Sequence, residues 1–148
     1  MTTITKNIFF AMALALMATI NPAVAEEEKP LAPETIEGAE TVTAEDIFTL
    51  VEEKDNLVII DSRKERDYKE GHIQDAVRLI NTEANPETMA EVIPSMDTPV
   101  LIYCNGPRCG RAAKTTKKAV DAGYTEVYYY YNGMNEWNDM GLPVITEE

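Results

Sequence analysis

The chain has two cysteines, and both lie in one short segment, Cys-Asn-Gly-Pro-Arg-Cys-Gly-Arg at residues 104–111. An apolar run at residues 100–103 precedes the segment, and an alanine-rich basic stretch with helical spacing follows it. A thiol between a buried strand and a helix start meets fixed backbone N–H groups and arginine charges, which favour the nucleophilic thiolate. The same helix start suits an anion. The segment therefore predicts a reactive-thiol loop with an anionic substrate.

Strand and helix patterns alternate on both sides of this loop. After a capped helix start at Thr43, they predict strands at residues 57–60, 76–80, 99–103 and 127–131, and helices at 64–69, 86–93, 111–122 and 134–140. Such alternation is typical of an α/β fold whose mostly parallel sheet is covered on both faces. Ligands bind beyond the carboxyl ends of such strands, so Cys104 and Asp61 are expected on one rim of the sheet.

The first 25 residues have the pattern of an export signal. Lys6 precedes an apolar run at residues 8–20, and an Ala-Val-Ala cleavage site ends at Ala25. We predict a mature chain that begins at Glu26 and is periplasmic or secreted, with retention of the segment as a membrane anchor left open. The cysteines would then meet an oxidising environment.

Two further regions follow the predicted signal. Residues 26–40 are acidic and contain Pro30 and Pro33, which predicts a linker or a loosely attached arm. Residues 41–148 are predicted to form one domain with a modest core.

The charge of the chain restricts its partners. The formal net charge is −13, which argues against nucleic acid and anionic membrane surfaces. Basic residues are nevertheless concentrated between Cys104 and Gly123, where Asp121 is the single acid; they are Arg108, Arg111, Lys114, Lys117 and Lys118. Such an island can attract a small anion, although for the three lysines a solvated helix face is the preferred interpretation.

Four segments in order resemble a single rhodanese domain over residues 41–144. They are Asp61-Ser62-Arg63; the aromatic-x-x-Gly-His-Ile-x-x-Ala pattern at residues 68–76; the strand that enters the loop at residues 100–104; and Gly-Met-x-x-Trp at residues 133–137 with Gly-x-Pro-Val at 141–144. The resemblance implies a three-layer α/β domain around a central, mostly parallel sheet.

The resemblance also implies a sulfurtransferase that needs no cofactor. Cys104 matches the family's nucleophile, which attacks the outer sulfur of a donor such as thiosulfate and then carries that sulfur as a persulfide. A thiol or a protein would accept the sulfur. Loop backbone N–H groups around Asn105, Gly106 and Gly110 would bind the anionic sulfur.

The loop departs from the family's common Cys-x-x-Gly-x-Arg pattern. Pro107 replaces the glycine, and Cys109 stands where the arginine is expected. Arg108 and Arg111 flank that position, and we expect either to bind the anion, with Arg108 ranked first because it lies inside the loop. A second loop cysteine resembles a rhodanese subgroup that is common among exported proteins.

Three roles are open for Cys109. It attacks a Cys104 persulfide and releases sulfide, it forms a protective disulfide with Cys104, or it is an inert small residue. Five residues of separation in a curled loop are compatible with a disulfide, and a redox-linked role is preferred. The alternative function is accordingly a periplasmic thiol–disulfide or sulfur-carrier protein that uses the Cys104/Cys109 pair; an inert rhodanese-like module is a weaker third possibility.

Other candidate chemistry is less favoured. Asp61 and Arg63 are predicted to support the loop as a charge pair, and His72 to be structural rather than a protease-like base. Two cysteines and one histidine lack the spacing of a metal site. A phosphatase loop needs arginine six residues after the cysteine, but that residue is Gly110.

Overall fold

The computed structural model describes residues 28–147, so the predicted export signal lies outside the described residues. In chain order the elements are β1 Glu40–Thr41, α1 Ala44–Glu53, β2 Val58–Asp61, α2 Glu65–Glu70, β3 Val77–Arg78, α3 Pro86–Val92, β4 Val100–Tyr103, α4 Arg111–Ala122, β5 Val127–Tyr130 and α5 Gly133–Asp139. Within the described part of the chain, no helix is both long enough and apolar enough to cross a membrane.

The five strands form one parallel sheet in the order β1-β5-β4-β2-β3. The central strand β4 is fully buried. Its last residue, Tyr103, lies level with Asp61 at the end of β2 and with Tyr130 at the end of β5. The carboxyl ends of these three strands therefore meet at one edge, as the alternating sequence pattern predicted.

The core has two halves, one on each face of the sheet. Val100 and Ile102 of β4 pack with residues of α3 and α4, whereas Leu101 and Tyr103 pack with residues of α1 and α5. This division follows from the two-residue period of a strand. The predicted three-layer α/β fold is confirmed.

Local signals explain where the helices begin and end. Thr43 accepts a hydrogen bond from the backbone N–H of Asp46, whose carboxylate accepts one from the Thr43 backbone, in a capping box. Gly123 adopts a left-handed conformation after α4, a common way for helices to stop. The bounds of α4 are those predicted, residues 111–122.

The segment before the domain differs from the expected loose arm. Glu40 belongs to β1, which pairs with β5. Further upstream, the backbone N–H of Ala32 donates to the Pro107 carbonyl at 2.7 Å, and the Tyr129 hydroxyl donates to the Pro33 carbonyl at 3.2 Å. Residues 28–39, called the arm below, thus contact the cysteine loop.

Candidate active site

The root of the cysteine loop is held by the start of α5. The Met134 backbone N–H donates to the Cys104 carbonyl at 2.9 Å, and that of Asn135 donates to the Asn105 carbonyl at 2.8 Å. Gly133 has φ +54°, and a Cβ atom there would lie 2.2 Å from the Cys104 carbonyl oxygen. This close approach requires glycine, so the Gly-Met pair of the sequence positions the loop.

A buried ion pair supports the loop from the β2 side. Asp61 and Arg63 are both almost completely buried, and Arg63 Nη2 lies 2.6 Å from Asp61 Oδ2. The Tyr103 hydroxyl also donates to that carboxylate, at 2.8 Å. The Tyr103 hydroxyl at the end of β4 therefore joins this strand to the buried charge pair at the end of β2.

The ion pair extends to the loop itself. Arg63 donates through Nη2 to the Gly71 carbonyl at 2.6 Å and through Nη1 to Asn105 Oδ1 at 3.5 Å. Asn105 Nδ2 donates in turn to Asp67 at 3.4 Å. These contacts are consistent with the predicted support by Asp61 and Arg63. They also involve Asp67, which the sequence reasoning missed because nothing in its local pattern places it near the loop.

The loop brings the two thiols together. Both cysteines are free, with Cys104 only 3% exposed and Cys109 partly exposed. The Cys104 sulfur lies 4.0 Å from the Gly106 carbonyl oxygen. The two thiols are close enough for each to shift the pKa of the other: Cys109 raises the pKa of Cys104, which the backbone amides of Ala112 and Gly106 lower in part.

The backbone amides of Arg111 and Asn105 lower the pKa of Cys109. Binding of an anionic sulfur by the amides of Asn105, Gly106 and Gly110 stays a prediction. Gly110 has φ +67° directly before α4, so it makes the left-handed turn from which the helix starts.

The negative charge of the thiol pair is favoured on Cys109. The hydrogen bond from Cys104, the backbone N–H groups and the Arg111 charge together lower the pKa of Cys109 to about 5, against the opposing effect of burial. Arg111 Nη1 lies 3.3 Å from the Cys109 sulfur. Donation to Cys109 and burial raise the pKa of Cys104. The sequence had suggested the reverse, with the thiolate on Cys104.

The two loop arginines have different partners. Arg108 donates to the Lys29 carbonyl at 2.8 Å and pairs with the Glu28 carboxylate at 3.0 Å, both on the arm. Arg111, in contrast, contacts the Cys109 sulfur. The arm thus supplies polar partners for Arg108 that the loop sequence does not reveal, and the ranking of Arg108 before Arg111 for anion binding stays a prediction.

A basic cavity of about 380 Å³ opens above the loop. Asp67 is the acid among its lining residues, and the cations that line it are Lys29, Lys64, Arg66, Arg108 and Arg111. Cys109 lines this cavity and also an apolar groove of about 710 Å³ between the arm and α4. Cys104 lines neither of them.

The family follows from a match over most of the domain. The sequence model of the rhodanese-like domain matches residues 43–140. The chain belongs to the rhodanese-like domain family. Protein YibN of Escherichia coli is 27% identical to this rhodanese-like protein over 93 residues, which are 62% of this chain and 63% of YibN. The chain thus covers less than two thirds of that relative.

Solved structures agree on the fold of this rhodanese-like protein. Thiosulfate sulfurtransferase from Pseudomonas aeruginosa has a TM-score of 0.63 and 22% identity, over 74% of this chain and 21% of that chain. The polysulfide-sulfur transferase homodimer from Wolinella succinogenes has a TM-score of 0.61 and 21% identity, over 75% of this chain and 81% of that one. At this level of identity the likeness concerns the fold.

His72 makes contacts inside the rhodanese-like domain that fit a structural role. Its ring stacks on Tyr68 with 3.9 Å between centroids, Nδ1 lies 2.9 Å from the Tyr68 carbonyl, and its backbone pairs with Ile145. Among residues 28–147, no group of three or more His, Cys, Asp or Glu side chains is arranged to hold a metal ion.

Proposed function

We propose that this rhodanese-like protein is a sulfurtransferase that moves sulfane sulfur from a small anionic donor such as thiosulfate to a thiol acceptor, through a persulfide on Cys104. The observation that carries the proposal is the position of Cys104. Cys104 directly follows the central strand, and the nearby backbone amides of Ala112 and Gly106 lower the pKa of its thiol against the raising effect of Cys109 and burial. Such fixed donors stabilise a negative charge without reorganisation during the reaction.

The chemistry is a pair of displacements at sulfur. A loop thiolate attacks the outer sulfur of the donor, a new S–S bond forms, and sulfite leaves with the electrons of the broken bond. An acceptor thiolate then attacks the outer sulfur of the persulfide, and the loop thiolate is regenerated. Backbone amides near each of the two sulfurs lower the pKa of that thiol, and such amides would also stabilise the anionic outer sulfur.

The charge distribution supports an anionic donor. The protein is acidic overall, with a formal net charge of −13, yet five cations line the cavity at the loop. A basic cavity of this kind concentrates small anions near the thiols. We expect a thiol or a protein, rather than nucleic acid or a membrane surface, to accept the sulfur.

Turnover of thiosulfate and cyanide to thiocyanate tests the proposal. Wild type should be active, and the double variant Cys104→Ser/Cys109→Ser, which lacks both loop thiols, should be inactive. Lys117→Gln is a surface control, because Lys117 pairs with Asp121 on the exposed face of α4, and it should keep wild-type activity. Full activity of the double variant would contradict the proposal.

The proximity of the two thiols, each of which shifts the pKa of the other, favours a second candidate function, a thiol–disulfide or sulfur-carrier protein that exchanges with a protein partner. Oxidation of the pair to a disulfide would require an external disulfide as the electron acceptor. Alkylation of free thiols under non-reducing conditions, followed by mass spectrometry of the native protein, distinguishes the two resting states. A linked pair in a protein without thiosulfate turnover favours this second function, whereas two alkylated thiols exclude a resting disulfide.

We further propose that the protein is exported, on the basis of the charge, apolar run and Ala-Val-Ala pattern of residues 1–25. Cell fractionation with N-terminal sequencing should find a periplasmic or secreted chain that begins at Glu26. A membrane-bound chain that retains its first residues would show an uncleaved anchor instead.

A further inference from the structure

We propose that sulfane sulfur enters and leaves the protein at Cys109 and is stored in the interior on Cys104. This exchange of sulfur between the two thiols is called the relay below. The inference rests on the proposed sulfurtransferase function and assigns a second catalytic residue to it. It reverses the order expected from the family pattern, in which the donor meets the cysteine at the end of the strand first.

Access is the first argument for this order. Cys104 is 3% exposed and lies below the loop, outside the lining of the basic cavity. Cys109 lines that cavity together with Arg108 and Arg111. A donor attracted by the cations therefore meets Cys109 in the wall of the cavity, whereas Cys104 is buried.

Activation is the second argument. Arg111 Nη1 lies 3.3 Å from the Cys109 sulfur, and this charge and the backbone amides of Arg111 and Asn105 lower the pKa of Cys109. These groups favour the thiolate, which is the form that attacks a donor. The neighbouring Cys109 and burial instead raise the pKa of Cys104, so Cys104 keeps its proton. The accessible sulfur is thus also the activated one.

The inward step needs no oxidant or reductant. After the Cys109 thiolate takes the outer sulfur of thiosulfate and sulfite departs, Cys109 carries a persulfide anion. The proton of Cys104 passes to this persulfide, and the resulting Cys104 thiolate attacks the outer sulfur. A bond from Cys104 to that sulfur forms, the bond to Cys109 breaks, and Cys109 leaves as the thiolate. Before the step the loop holds the Cys104 thiol and the Cys109 persulfide anion. After it, the loop holds a protonated Cys104 persulfide and the Cys109 thiolate, so the proton and the charge are both conserved.

The loop geometry suits this exchange. The two thiols are close enough for each to shift the pKa of the other, and the backbone amides that lower the pKa of one or the other belong to four residues of the same loop region, Asn105, Gly106, Arg111 and Ala112. A persulfide on Cys104 would lie among the Gly106 and Ala112 donors and away from solvent. Reversal of the same steps returns the sulfur to Cys109, where an acceptor thiol can reach it.

The order of labelling tests the relay without any substitution. Fully reduced wild type is mixed with thiosulfate, quenched at short times by alkylation, and the peptides are mapped for the extra sulfur. The relay predicts a Cys109 persulfide that precedes the Cys104 persulfide and then declines. A Cys104 persulfide that forms first, with none on Cys109, overturns it.

Single-cysteine variants give an independent test. Cys104→Ser should accept sulfur on Cys109, whereas Cys109→Ser and Cys109→Ala should load Cys104 roughly tenfold more slowly or worse, because the accessible thiolate is missing. Far-ultraviolet circular dichroism checks that each variant is folded. Loading of Cys104 at the wild-type rate in both Cys109 variants overturns the relay but leaves the sulfurtransferase function intact. Failure of wild type itself to load overturns both.

Discussion

The cysteine loop has two sides that are held in different ways. Its inner side, Cys104 and Asn105, is held by buried groups: the α5 N–H groups, Gly133 and the Asp61–Arg63 pair. Its outer side, Arg108 to Arg111, is held by partly exposed contacts, with the arm and between Arg111 and Cys109. Buried charge pairs are costly to break, whereas exposed pairs contribute little. The inner side therefore sets the position of the thiols, and the outer side adjusts their reactivity.

Removal of the buried carboxylate is expected to have the largest effect on the inner side. Asp61→Ala leaves the Arg63 charge buried without its partner, which should lower the free energy of unfolding by about 3–5 kcal/mol. Urea unfolding measures this change. Asp121→Ala, which removes an exposed carboxylate from a pair with Lys117, is the control and should be close to wild type. Similar midpoints for the two variants would mean that the inner side is not specially stabilised.

A methyl group at the α5 start tests the inner side at a second place. Gly133→Ala would put a Cβ atom against the Cys104 carbonyl at a positive φ. The clash and backbone strain should cost about 1–3 kcal/mol and slow thiosulfate turnover. Gly141→Ala is a useful control, since Gly141 also has a positive φ but no atom within 4 Å of the added Cβ. Equal losses in both variants would assign the cost to backbone strain alone.

Loss of the guanidinium on the outer side should change reactivity more than stability. The pKa of Cys109 is about 5, so this thiol is mostly ionised at pH 6. Arg111→Gln should raise that pKa, and each unit of increase lowers the thiolate fraction up to about tenfold at pH below the new value. Alkylation of Cys109 should therefore slow at pH 6 and approach the wild-type rate as the pH rises through the ordinary thiol range. A pH profile identical to wild type would show that Arg111 does not lower the pKa of Cys109.

The contact between the arm and Arg108 should matter least. Glu28→Gln removes an exposed ion pair, and the free energy of unfolding should change by less than about 1 kcal/mol. Urea unfolding and thiosulfate turnover are the two measurements. A large loss of stability would show that the arm, rather than the buried groups alone, holds the loop.

The sequence predicted those features that depend on neighbouring residues. The bounds of α4, the alternation of strands and helices, and the shared edge of Asp61 and Cys104 all follow from local apolar periodicity and caps. The two-residue strand β1 was missed, because its partner β5 lies almost ninety residues further along the chain. The contacts of Arg108 with the arm were missed for the same reason.

The sequence by itself determined the family, the layered α/β architecture and the pairing of two cysteines in one loop. These are properties of residue type and spacing along the chain. The tertiary structure decided which arginine meets sulfur and which thiol is exposed and favoured as the thiolate. Those outcomes depend on burial and on charges brought together from distant segments, and in an interior of low dielectric a few ångströms decide which sulfur holds the charge.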